Sequence, residues 1–288
     1  MRKSGFFMPA IALIAGVAGF FLRRQEIPIF DPYTGLPEQW APVSIALMAL
    51  SGGVVILLLL LCFQVQAPKR PILTFEAAFG GNRFASTFLT ILGVLVILAT
   101  VLDALTFPDP GRFPLLFYLQ TGLAFLAGFC LCYMALRGPR GSNVAPASAV
   151  PVFWLCLLLV VFHIGEASNP VLLQYAYGFF ALSAILLSLY YLASFAFHQG
   201  KIRKFLFSSS AAVYFIGVTM GDPRSLYQAI LLLALAATLL VYHLALLHAF
   251  SRPEPEESFP HLRTPPPLPY VPPPVSEHKK PYWDVDLD

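Results

Sequence analysis

The chain has 288 residues, of which 58% are hydrophobic and only 11% charged, with a mean hydropathy of +0.73. A soluble domain carries roughly a quarter charged residues, so these figures exclude one and describe a chain of long apolar runs that needs lipid around it. The net charge of +3 is spread among loops and builds no basic face, which excludes nucleic acid as a partner.

The first apolar segment runs from Gly5 to Leu22, with Arg2 and Lys3 before it and Arg23 and Arg24 after it. It is nearer spanning length than the roughly 7 to 15 apolar residues of a secretory signal, and no small-residue cleavage site leads into a polar start, so it is read as a retained span. The loop Arg23 to Pro42 follows, with a proline turn at DPYTG and with Tyr33 and Trp40 suited to a membrane interface. A second span covers Val43 to about Val65. The stretch PKRPILTFEAAFGGNR then mixes Lys69, Arg70 and Arg83 with Phe75 and Phe79, and is expected to lie along the membrane surface.

The third span extends from about Ala85 to Phe107 and carries Asp103 near its end; the fourth runs from Phe113 to Leu136. A short basic loop with Arg137 and Arg140 leads to the fifth, Val150 to about Gly165, which ends in HIGEASNP. The sixth lies within Asn169 to Lys204 and closes on the basic cluster HQGKIRK. Phe205 to Met220 is short and holds Ser208, Ser209 and Ser210, so it either spans or re-enters. Leu226 to Phe250 is the final span. The fold class is therefore all-α: a polytopic transmembrane helical bundle of about eight spans, or seven if Phe205 to Met220 does not cross.

Two regions follow, a transmembrane helical domain over 1–250 and a Pro-rich, uncored cytosolic tail over 251–288 that is expected to be disordered. With alternating spans, Arg2, Lys3, Lys69, Arg70, Arg83, Arg137, Arg140, Lys201, Arg203 and Lys204 share one side. By the positive-inside rule that side is the cytoplasm, which places both termini there and the chain in the cell membrane. Arg23 and Arg24 fall on the opposite side and are the one conflict, softened by Glu26 and Asp31.

Residues able to carry chemistry are few. Asp103 is an acid inside an apolar run, where a carboxylate costs free energy to bury. His163 and Glu166 are spaced to share a helix face at the same outer level, so the three could assemble a polar or ion site. Against this stands the reading of ordinary helix-end polarity. On the sixth helix Ser183, Tyr190, Ser194 and His198 fall in one arc, read as a helix-packing stripe in preference to a substrate path. His243 is read as a hydrogen-bonded structural histidine. Cys62, Cys130, Cys132 and Cys156 lie in apolar runs and are read as packing residues. No catalytic residue, cofactor or metal set is recognised, and no nucleophile stands with a base, so an enzyme is not expected.

In the tail, RTPPPLP presents Arg263, Pro266 and Pro269 at the spacing of a polyproline II docking ligand, and PYWDVDLD adds Trp283 as an anchor. The reading that follows is a membrane scaffold or sensor recruiting a cytosolic partner through this tail. The alternative is a small-solute or ion transporter with an outward-facing polar site.

The runs SNPVLLQYAYGFFALSAILLSLYYLASFAFHQGK and FLRRQEIPIFDPYTGLPEQWAP, about a third of the chain, resemble a group of multi-spanning membrane proteins of anaerobic Gram-positive bacteria with no known activity. The resemblance implies a bacterial cytoplasmic membrane and supplies no ligand or site residue.

Overall fold

A backbone in hydrocarbon must bond to itself, and a helix does so residue by residue. The computed structural model describes residues 3–30, 41–65, 72–106, 114–166 and 171–250, and its regular structure is helical throughout. The elements are α1 (Lys3–Glu26), α2 (Pro42–Gln64), the short α3 (Phe75–Phe79), α4 (Arg83–Thr106), α5 (Pro114–Arg137), α6 (Ala145–Glu166), α7 (Leu172–Ala196), α8 (Ile202–Thr219) and α9 (Leu226–Ala249). Seven of them, all but α3 and α8, are long and apolar enough to cross a bilayer. The loop 31–40, including the turn expected at DPYTG, and the tail 251–288 lie outside the described residues.

The weakest predicted segment turns out to be central. Of the 18 residues of α8, 12 are buried, and it packs against α1, α2, α7 and α9. At one end Cys62 Sγ donates to the Arg203 carbonyl at 3.2 Å and Arg203 Nε donates to the Val65 carbonyl at 2.9 Å, both at the foot of α2. At its other end Asp222, three residues past the helix, meets Arg23 at the head of α1 at 2.6 Å. Eighteen residues rise about 27 Å, close to the thickness of a hydrocarbon core. The helix therefore runs the height of the bundle, and its serines are inside it: the Ser208 hydroxyl donates back to the Phe205 carbonyl of its own helix.

Close helix crossings are made by missing side chains. A Cβ on Gly217 of α8 would lie 2.8 Å from the Gly16 Cα of α1, backbone against backbone, so only glycine permits this approach. On α4, a Cβ at Gly93 would lie 2.6 Å from Cys132 Sγ and 3.1 Å from the Cys132 nitrogen of α5. His243 of α9 joins three helices, with Nδ1 2.8 Å from Ser209 Oγ and Nε2 3.4 Å from the Gly5 carbonyl. A carbonyl can only accept, so in the neutral ring Nε2 carries the proton and Nδ1 accepts from the serine.

One end of the bundle is sealed by α3. Thr74 caps it by accepting from the Ala77 N–H at 3.2 Å, and Phe75 and Phe79, one turn apart, face the same way. Both are buried, and Phe79 meets Tyr242 at 5.0 Å and Phe195 at 5.4 Å between ring centroids, edge to face. Phe205 closes the cluster at 6.1 Å from Phe195. The stretch expected along the membrane surface is thus folded into the bundle over 75–79. The Phe75 ring lies where any side chain on Gly138 would stand, so that glycine makes its room.

Candidate functional site

The opposite end is open and charged. Arg23, in the last turn of α1, is 2% exposed and all three nitrogens are engaged: Nε donates to Asp222 Oδ1 at 2.6 Å, Nη1 to Glu26 Oε2 at 2.7 Å, and Nη2 to the Gln174 carbonyl at 2.6 Å. Its guanidinium also stands 5.3 Å from the Tyr177 ring centroid and 5.8 Å from that of Phe30. Three acceptors and two aromatic faces replace the water that a buried cation loses.

The other partner set comes from the turn between α8 and α9. Asp222 Oδ2 accepts from Thr219 Oγ1 at 3.0 Å and from Arg224 Nη2 at 3.3 Å. Arg224 also donates through Nε to the Thr219 carbonyl at 2.8 Å and through Nη2 to Thr219 Oγ1. The threonine hydroxyl accepts from the arginine while donating to the aspartate, so one hydroxyl links two opposite charges. Burial lowers the Arg224 pKa from its ordinary value, and the Asp222 carboxylate opposes that shift.

These groups line a cavity of about 520 Å³ whose wall comes from α1, α6, α7, α9 and the α8–α9 turn. Its lining combines charged and polar groups, Arg23, Asp222, Arg224, Glu166, Gln174 and Gln228, with apolar ones, among them Leu158, Phe162, Leu182 and Leu231. A volume of about 520 Å³ falls within the range of small-molecule pockets. Polar groups continue inward from it. Ser51 Oγ donates to the Leu47 carbonyl at 2.8 Å and therefore accepts from the Tyr214 hydroxyl, also at 2.8 Å. Tyr177 approaches the same serine.

The structure separates the three residues expected to form an outer polar site. Glu166 lines the cavity, His163 is exposed on α6, and Asp103 sits on α4 facing the Tyr227 hydroxyl. All three are at the same end of the bundle, yet no group of three metal-ligating side chains comes together among the described residues. The expected α7 stripe is not a seam either. Tyr190 is 52% exposed, Ser183 and Ser194 are half-buried, and His198 lies beyond the helix end with a left-handed φ of 58°. A one-turn repeat marks a face but not its neighbour, and the serine that α7 buries completely is Ser188. The tail residues Arg263, Pro266, Pro269 and Trp283 lie outside the described residues.

Sequence reasoning passed over Arg23, Glu26, Asp222 and Arg224. The available signal was Arg23 itself, a cation on the wrong side for the positive-inside rule, with Glu26 at helical spacing and a second complementary pair in GDPRS on the same side.

No protein-family model, curated protein or solved structure matches the chain. The fold itself defines the class. This is a multi-pass integral membrane protein, a helical bundle in contact with the lipid bilayer.

Proposed function

We propose that the protein is a membrane sensor in the bacterial cytoplasmic membrane, binding a small amphipathic molecule in the Arg23–Asp222–Arg224 cavity and recruiting a cytosolic partner through its Pro-rich tail. The observation that carries this reading is the asymmetry of the bundle: a cavity with charged groups in its lining at one end and a ring-packed aromatic seal at the other. A site closed behind its ligand suits detection better than passage. Orientation follows from Arg83, Arg137, Arg140, Lys201, Arg203 and Lys204, which belong to the sealed end and make it the cytoplasmic one. α9 ends there too, at Ala249, which agrees with a cytosolic partner in this reading.

The test uses a chain whose four cysteines are replaced by alanine. A cysteine at Leu231, which lines the cavity, is expected to react with a membrane-impermeant maleimide added outside intact cells, whereas one at Leu233, exposed on the lipid side of α9, is not. Leu231→Cys without labelling would sink the outward-open cavity. Removing Arg252 to Asp288 is expected to deplete a co-purifying cytosolic protein, and an unchanged set of partners counts against recruitment.

A transporter is the second reading, favoured by the Tyr177, Tyr214 and Ser51 groups that lead inward from the cavity. Uptake of a solute into vesicles that depends on Tyr214 would favour it over sensing.

A further inference from the structure

The ligand of this cavity can be narrowed from the groups its lining leaves unpaired, an inference that rests on the binding role just proposed. Arg23 spends Nε, Nη1 and Nη2 on Asp222, Glu26 and the Gln174 carbonyl, so it holds the architecture. Two charged groups differ. Arg224 spends Nε and Nη2 on Thr219 and Asp222, and its Nη1 bonds to no described residue. Glu166 lines the same cavity and makes no hydrogen bond or ion pair with any described residue. It is also the last residue of α6, where the helix dipole disfavours an anion, so its own helix does not account for its charge.

The aromatic lining belongs to the acidic wall. Phe162 is one turn before Glu166 on α6 and meets Tyr175 of α7 edge to face at 6.5 Å. Gly178 brings the two walls together: a Cβ there would lie 3.0 Å from the Phe162 ring and 3.7 Å from Arg224 Nη2. A carboxylate beside two aromatic rings suits an ammonium group, and a spare guanidinium nitrogen suits a carboxylate or phosphate.

We propose that the cavity binds a zwitterion, its ammonium held by Glu166 with Phe162 and Tyr175, its anionic group by Arg224, and its apolar part against Leu158, Leu182 and Leu231. Such chemistry comes from a free amino acid with an apolar side chain or from the headgroup of a phosphatidylethanolamine.

The full chain in nanodiscs of phosphatidylglycerol, free of zwitterionic lipid, separates the sources. With L-leucine as probe, the melting temperature is expected to rise, while leucine amide, which lacks the anion, and 4-methylpentanoate, which lacks the ammonium, leave it unchanged. For the headgroup, the rise is expected instead on replacing the lipid by phosphatidylethanolamine. In either arm Glu166→Gln is expected to weaken the effect about tenfold or more, the scale of one lost charged hydrogen bond. Because Glu166 has no partner among the described residues, this variant folds as the parent does, whereas Arg224→Gln disturbs Asp222 and is less clean. The proposal is overturned if neither zwitterion shifts the melting temperature, if a singly charged probe works as well, or if Glu166→Gln responds like the parent. These failures are distinct from failure of the binding role, which the labelling of Leu231→Cys reports separately.

Discussion

The two ends of the bundle exclude lipid by opposite means. At the sealed end Phe75, Phe79, Phe195, Phe205 and Tyr242 fill space with rings, and the short α3 exists to deliver two of them. At the open end Arg23, Glu26, Asp222, Thr219 and Arg224 hold four helices' ends with charge and leave a cavity between them. Ring packing is tolerant of small shifts, and of these five rings only Tyr242 carries a polar group. A charge network fixes geometry because each bond fails when its partner moves, which is what a binding site requires.

Four substitutions sharpen or break that contrast. Phe79→Ala removes the ring that four others touch and is expected to cost about 3 to 5 kcal/mol, seen as a large fall in melting temperature of the detergent-solubilised protein. Asp222→Asn leaves Arg23 and Arg224 with less compensation and is expected to cost about 3 kcal/mol by the same measurement; a loss as small as that of an exposed surface pair would mean that water reaches the network. Tyr242→Phe goes the other way. Its hydroxyl is buried without a hydrogen-bond partner among the described residues, so deleting it is expected to stabilise the sealed end by about 1 kcal/mol, and a destabilised variant would reveal a hidden partner. Glu166→Gln is expected to change stability by less than about 0.5 kcal/mol while weakening ligand binding, which separates the site from the scaffold.

Much of the fold was legible in the residues. Expected spans of Val43 to Val65, Ala85 to Phe107, Phe113 to Leu136 and Leu226 to Phe250 stand beside helices Pro42–Gln64, Arg83–Thr106, Pro114–Arg137 and Leu226–Ala249. Proline and basic punctuation ended the apolar runs, and hydrocarbon leaves a backbone little choice but a helix. The hydrogen-bonded role expected for His243 also stands, since an imidazole in that setting must find partners.

Which face of each helix meets lipid was not legible. In a bilayer the outside of the bundle is as apolar as the inside, so α2 and α7 are apolar all round and carry no stripe that points inward. The polar arc from Ser183 to His198 misled for that reason. α8 was underrated because its three serines lower its hydropathy, although small hydroxyl residues are what a helix surrounded by other helices can accommodate.

The amino-acid sequence by itself determined that the chain is a membrane bundle and roughly where its long apolar helices lie, because length and solvent preference are local properties. Only the tertiary structure decided that Arg23 is a buried partner of Asp222, 199 residues away, rather than a stray loop cation. The same holds for the cavity, whose walls are distant in sequence and meet only when α1, α7 and α9 pack around α8 and α6 packs on α7. Pairing energies depend on distance in space, and no local pattern encodes that.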